Sequence, residues 1–315
     1  MPATIDLAIQ DESAQDEALA PKITRPTFAI RTDGYADVLV AYDFSAAAET
    51  ALEYAEELSR HFSSMVHLLS IETPDEHARI MSTDPRVREH VHQDIKRAFS
   101  HIETRLRAKG IPCKSTFRVG DVPSVLEGTT LECSTDLVIL GAFGHGPSDR
   151  ASLGSTAAHI LRVAQCPVLT IGPQAVRHVG RPPRIERLVC VTDSPKAHHE
   201  LLTVCNTFAS RLDARVELLR VVDPNHPGTA RQEYEQQCEK LASAVRDKGI
   251  HASWALLYGP QAQVIAAHAN EMKASLVILE VDRSDTNATA LEHVIVETIR
   301  KVHCPVLTVP LLNAK

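Results

Sequence analysis

The chain contains the same strand-and-helix programme twice, and this repeat limits its folds more than any other feature. Asp37-Val-Leu-Val-Ala-Tyr-Asp43 is restated as Arg187-Leu-Val-Cys-Val-Thr-Asp193. Lys109-Gly110-Ile111 returns as Lys248-Gly249-Ile250, and Gly120 as Gly259. Asp136-Leu-Val-Ile-Leu140 returns as Ser275-Leu-Val-Ile-Leu279, and Cys166-Pro-Val-Leu-Thr170 as Cys304-Pro-Val-Leu-Thr308. The offset is 150 residues at the two acids and 139 at the Lys-Gly-Ile pair, so the first copy holds eleven extra residues between them. Their expected place is around Thr73 to Arg88, where they lengthen the second helix or its approach.

Within each copy, short apolar runs alternate with segments at helical spacing. Val38 to Tyr42 is followed by Ala48, Leu52, Ala55, Leu58 and Phe62, a strand and then a helix with Ser45 as its N-cap. Further runs stand at Met65–Ile71, Ser115–Val119, Asp136–Leu140 and Pro167–Ile171. Near-continuous apolar strands separated by helices predict a parallel sheet covered on both faces. The fold class is therefore α/β, with two tandem five-stranded parallel-sheet domains and flanking helices. The expected boundaries are an acidic, disordered tail over residues 1–35, a first domain over 36–173, a Pro-, Gly- and Arg-rich linker over 174–185, and a second domain over 186–312. The last strand of each copy, Pro167–Ile171 and Pro305–Val309, is apolar and uncharged. Two such edges in one chain predict antiparallel pairing of the domains about a pseudo-two-fold axis.

A length of 315 residues suits two cores, and no apolar run approaches the ~20 residues that cross a bilayer. No basic stretch precedes a short apolar core at the N-terminus, so the expected compartment is the cytoplasm, without membrane contact. A net charge of −7 gives no attraction for polyphosphate backbones, and nucleic acid is not an expected partner. The seven cysteines form no C-x-x-C pair and lie mostly in apolar runs, where reduced, structural thiols are expected.

The stretch that carries chemistry follows the fourth strand of copy one: Gly141-x2-Gly144-x9-Gly154-Ser155-Thr156, with His145 and Gly146 inside it. Glycines after a parallel strand let a ligand approach the backbone, and a helix opening at Ser155 offers unpaired amides and its positive dipole end to an anion. In an open parallel sheet the ligand crevice lies at the carboxyl ends of the strands, the edge where Asp43 ends the first strand. An acid there accepts a hydrogen bond from an adenosine hydroxyl or amino group. The plainer reading is a Gly-rich strand-to-helix turn with a Ser N-cap. Lysine-based phosphate loops, a Ser-Gly-Gly-x-Asp pyrophosphate loop and the dinucleotide G-x-G-x-x-G are all missing after their strands. His90-x-His92 and His198-His199 lack metal-ligand spacing, and no elbow surrounds Ser155 as a nucleophile.

Strand-terminal Asp43, Gly120 and the Gly141-x2-Gly144-x9-Gly154-Ser155 spacing together resemble the ATP-binding branch of the universal stress protein family, over roughly Val38 to Pro310 in two copies. The resemblance implies a Rossmann-like, adenine nucleotide alpha hydrolase-like sheet of order 3-2-1-4-5. It implies ATP bound in the first domain, with Mg²⁺ or Mn²⁺ accompanying the nucleotide and no metal ligands from the chain itself. Asp43 and the backbone at Ile71 would face adenosine; Gly141, Gly144, Gly154, Ser155 and Thr156 would face ribose and phosphates. Ala142-Phe143 departs from the small polar residue and His or Arg usual in the family. In copy two, Gly141, Gly144 and Gly146 become Glu280, Arg283 and Asp285, and Glu292-His293 replaces the last glycine region, so no nucleotide is expected there. The function implied is an ATP-binding stress-response regulator with no assigned catalytic residue and at most slow hydrolysis. Expected partners are ATP, the other copy, a second chain in a homodimer and an unidentified protein. The alternatives are a nucleotide-free interaction scaffold and an ATP-using transferase or ligase whose acceptor site lies in the long insertion.

Overall fold

The computed structural model describes residues 34–143, 153–176, 182–192, 199–223, 231–281 and 288–311. Copy one runs β1 (Asp37–Ala41), α1 (Ala46–Phe62), β2 (Met65–Glu72), α2 (Pro74–Met81), α3 (Pro85–Ala108), β3 (Cys113–Val119), α4 (Val122–Glu132), β4 (Leu137–Gly141), α5 (Ser155–Val163) and β5 (Val168–Ile171). Copy two runs β6 (Arg187–Val191), α6 (His199–Leu212), β7 (Arg215–Val222), α7 (Arg231–Arg246), β8 (Ala252–Tyr258), α8 (Gln261–Glu271), β9 (Leu276–Val281), α9 (Ala288–Lys301) and β10 (Val306–Pro310).

The repeat extends to backbone conformation. Ser63 and Asp213, which close α1 and α6, both take left-handed φ values of 59° and 53°. Ser134 and Lys273, past α4 and α8, do the same at 49° and 51°. Gly110 and Gly249 follow at 75° and 79°. Such residues let a chain leave a helix and enter the next strand.

Among the described residues the strands form one sheet of order β3-β2-β1-β4-β5-β10-β9-β6-β7-β8, so each copy has the 3-2-1-4-5 arrangement. All pairs within a copy are parallel. Strands β5 and β10 pair antiparallel, with Leu169 opposite Leu307 at the centre of the junction. Both leucines are fully buried. At ~1.5–3 kcal/mol for each buried Leu, the junction belongs to the core. Strand alternation then sorts side chains to two faces. Val38, Val40 and Leu68 face α1 and α3, whereas Leu39, Leu69 and Val138 face α4 and α5, and each layer continues into copy two. Around the junction, Arg162 Nη1 of α5 lies 3.7 Å from Glu292 Oε1 of α9. Gly172 approaches α9 so closely that a Cβ would stand 2.0 Å from the Ile299 carbonyl oxygen.

The fold refines or departs from expectation in four places. The eleven extra residues lie in the expected stretch and go into a separate helix, α2, as well as into a longer following helix, with α3 at 24 residues against 16 in α7. Thr73 caps α2 in a capping box with Glu76, and Asp84 caps α3; each cap precedes a proline. Tyr35, assigned to the tail, is 2 % exposed and packs on Phe62 and Phe208 at 5.3 and 5.5 Å, tying α1 to α6. Within the linker, Ala175 and Ile185 are buried in the α1-side layer. Cys190 of β6 and Cys205 of α6 form a close pair with no signal in the sequence, because strand alternation turns Cys190 toward the buried stripe of α6. Residues 1–33 of the expected tail lie outside the described residues.

Candidate functional site

The carboxyl ends of β1 and β4 form the point where strand order reverses, since β1 connects outward to β2 and β4 connects to β5 on the other side. Register pairs of β1 end at Ala41–Leu69 toward β2 and at Val40–Ile139 toward β4. Asp43 lies just beyond and is exposed; its Oδ1 accepts the Ser45 N–H at 3.0 Å. Ser45 Oγ then accepts the Ala48 N–H at 3.1 Å, so the expected N-cap of α1 is present. Ile71 lies in β2, half-buried and paired in register with Arg118 of β3.

Gly141 ends β4 against the first turn of α1. A Cβ at Gly141 would lie 2.8 Å from the Ala47 Cβ, so the absence of a side chain allows β4 and α1 to meet at this corner. Beyond it, the Ala142 N–H donates to the Ile171 carbonyl and the Ala142 carbonyl accepts the Gly154 N–H, both at 2.9 Å. The second bond pins the two ends of the glycine stretch together. Gly154 is the N-cap of α5 and has no side-chain cap; Ser155, expected as a cap in the plainer reading, is instead the first helical residue. Because Gly154 has no side chain to satisfy them, the amides of Ser155 and Thr156 open the helix without a side-chain acceptor at the cap. Gly144, with His145 and Gly146, lies outside the described residues.

Two residues at this edge carry no obvious sequence signal. Phe44 has a left-handed φ of 64°, is 39 % exposed, and stacks on Phe99 of α3 with centroids 5.8 Å apart. It is forced there because one residue must turn the chain between Asp43 and the α1 cap. Glu72, at the end of β2, is 7 % exposed, and its Oε1 lies 3.3 Å from His77 Nδ1 of α2. The only hint in the sequence is a carboxylate continuing the buried alternation Val66, Leu68, Ser70. Beneath the corner, the Tyr42 hydroxyl bonds to Glu49. Burial first and this bond second push the phenol well above its ordinary range, so it stays a neutral donor.

Copy two is built differently at the matching place. Helix α9 starts at Ala288, so Glu292 and His293, aligned with Gly154 and Ser155, lie inside a helix whose amides are already engaged. Glu280 takes the place of Gly141 and, with Val191, Leu279, Val294 and Ile295, lines a cavity of only about 20 Å³. Asp193, Arg283 and Asp285 lie outside the described residues. Among the described residues no three His, Cys, Asp or Glu side chains group as metal ligands.

The model of the universal stress protein family matches residues 34–172 and again 185–310. The chain belongs to the universal stress protein family. A universal stress protein from Archaeoglobus fulgidus DSM 4304 is similar at 15 % identity over 90 % of this chain and 98 % of that one, with a TM-score of 0.69. A universal stress protein assigned in Pseudomonas aeruginosa UCBPP-PA14 is similar at 17 % identity over 89 % and 94 % of the two chains, with a TM-score of 0.62. At these identities the likeness is one of fold, and it extends to the tandem arrangement. Comparison with curated proteins gives no match. No helix among the described residues of this universal stress protein is long and apolar enough to cross a membrane.

Proposed function

We propose that copy one binds ATP at the carboxyl edge between β1 and β4 and that copy two does not, making the chain a nucleotide-responsive regulator in the stress response. The observation that carries this reading is the start of α5. A glycine cap pinned to Ala142 leaves helix-opening amides at the reversal point of the sheet, where an anion gains from both the free N–H groups and the dipole. Asp43 stands on the same edge to accept from adenosine, with the Ile71 backbone on the neighbouring strand. Gly141, Gly144, Ser155 and Thr156 complete the proposed contacts to ribose and phosphates. Mg²⁺ or Mn²⁺ would enter with the nucleotide. Copy two serves as an internal comparison, because its helix runs through the same position and its Glu280 adds negative charge.

No catalytic residue is assigned, and slow hydrolysis at most is expected. Gly154→Val tests the site. Gly154 has a φ of −57°, which valine adopts without backbone strain, so the variant is expected to lose only about 1 kcal/mol as a poorer cap while its branched side chain covers the helix opening. Calorimetric titration of the full chain with ATP is expected to show at least a tenfold weaker affinity for Gly154→Val. Unchanged affinity would move the phosphates elsewhere, and no binding by the wild type would favour the nucleotide-free scaffold.

A further inference from the structure

Among the described residues the continuous sheet ends in two edge strands, β3 of copy one and β8 of copy two, and they are built in opposite ways. In a parallel ladder, alternate residues direct both backbone groups to the same neighbour. The Val66 N–H donates to the Pro112 carbonyl and the Gly120 N–H to the Glu72 carbonyl, so even-numbered residues of β3 face β2 and Cys113, Ser115, Phe117 and Val119 face outward. The outward Ser115 N–H is taken by Glu103 Oε1 of α3 at 3.0 Å. Lys114 and Arg118 add two cations to the strand, and charge on an edge opposes pairing with another chain.

Strand β8 has lost each of these guards. The Val216 N–H donates to the His251 carbonyl and the Gly259 N–H to the Val222 carbonyl, so Ala252, Trp254, Leu256 and Tyr258 turn their backbone groups outward. The counterpart of Glu103 is Ala242, a buried residue of α7, while Lys114 and Arg118 become Ser253 and Leu257. Ala252–Tyr258 contains no charged residue and no proline. The Ala252 carbonyl accepts from Arg246 Nη1 at 3.1 Å. The outward N–H and C=O groups of Trp254 and Leu256 have no partner among the described residues.

We propose that β8 is the surface on which two copies of the chain join, edge to edge and antiparallel, about a two-fold axis at Ala255. Three observations select a second copy as the occupant. The chain already pairs two uncharged edges in this way, β5 with β10. Because β3 is guarded, the open edge of β8 meets its like in another β8, which closes a two-fold pair instead of extending a filament. The residues also match: with Ala255 opposite its own copy, Trp254 lies opposite Leu256 and Ala252 opposite Tyr258. Each such pair brings two outward-facing backbones together to exchange both hydrogen bonds, and no like charges oppose one another. The indole of Trp254 is already held, its Nε1 donating to Glu239 Oε2 at 2.7 Å.

Sedimentation equilibrium of the full chain over a concentration series, with amide hydrogen exchange on the same samples, tests the pairing. The expected mass at high concentration is twice the 34.5 kDa of one chain, falling to the single mass on dilution. The Trp254 and Leu256 amides should exchange at least tenfold more slowly in the concentrated sample, with the outward Phe117 amide of β3 unchanged. Ser253→Lys combined with Tyr258→Lys, both at exposed positions, sets cations along the paired edges and should hold the chain at the single mass throughout. Exchange in the wild type reports on the edge even where the variant misfolds. A wild-type chain that stays at the single mass, or a dimer that the double variant leaves intact, would overturn the proposal. So would exchange at Trp254 and Leu256 that ignores concentration, the result expected if a segment of the same chain covers the edge.

Discussion

At the scale of single residues, Gly141 couples the fold to the proposed site. Its missing Cβ leaves room for Ala47, so Gly141→Ala should push α1 from β4 and cost about 1–3 kcal/mol. Urea unfolding checks the cost. The buried thiols make a second prediction at this scale. Burial pushes Cys113 and Cys304 each up to about 12. A thiol whose folded value exceeds its unfolded one favours folding fully at low pH, and that contribution fades as pH rises from the unfolded value, ~8.5, toward 12. The urea midpoint of the wild type should therefore fall more steeply between pH 8.5 and 11 than that of Cys304→Ala. Parallel curves would mean that the thiol is not withheld from water.

At the scale of elements, the β5–β10 pairing is the most exposed to test. Leu169→Lys places an unpaired ammonium in the fully buried centre of the junction, and the predicted loss is ~4 kcal/mol or more. Adding Leu307→Lys sets two like charges directly opposite one another and should part the halves, seen as a larger radius in small-angle scattering. An unchanged radius would mean that other contacts hold the copies together. The uncharged edge strands and the repeat made this pairing legible in the sequence. Helix α2 was less legible, although Thr73-Pro74 and Asp84-Pro85 are each a cap followed by a proline; an offset of eleven residues counts an insertion without giving its shape. In the site, the end of β1 followed from the apolar run closing at Asp43, and the end of β4 and the start of α5 from glycine spacing. The extension of α9 through Glu292 did not, because a glutamate suits a solvated loop as well as a helix and no glycine is left there to mark the turn. Tyr35 and Ile185 were hidden for another reason: each belongs to its core through contacts far away in the chain, which local pattern does not record.

At the scale of the whole molecule, duplication followed by divergence gives one continuous sheet with two unlike ends. Pairing of β5 with β10 consumes the apolar edge of each copy, and the reversal points of the two copies remain separate places in one continuous sheet. Copy two keeps the strand order and the buried layers, while its α9 begins at Ala288, ahead of the position aligned with Gly154, and Glu280 stands in place of Gly141. The account therefore requires an asymmetric tandem, in which one half binds nucleotide and the other completes the sheet. The most direct measurement is the stoichiometry of ATP binding to the intact chain by calorimetry, with Gly154→Val and Glu280→Gln beside the wild type. The account predicts one nucleotide per chain, a loss of at least tenfold in affinity with Gly154→Val and no change with Glu280→Gln; two nucleotides per chain, or one whose affinity ignores Gly154, would contradict it.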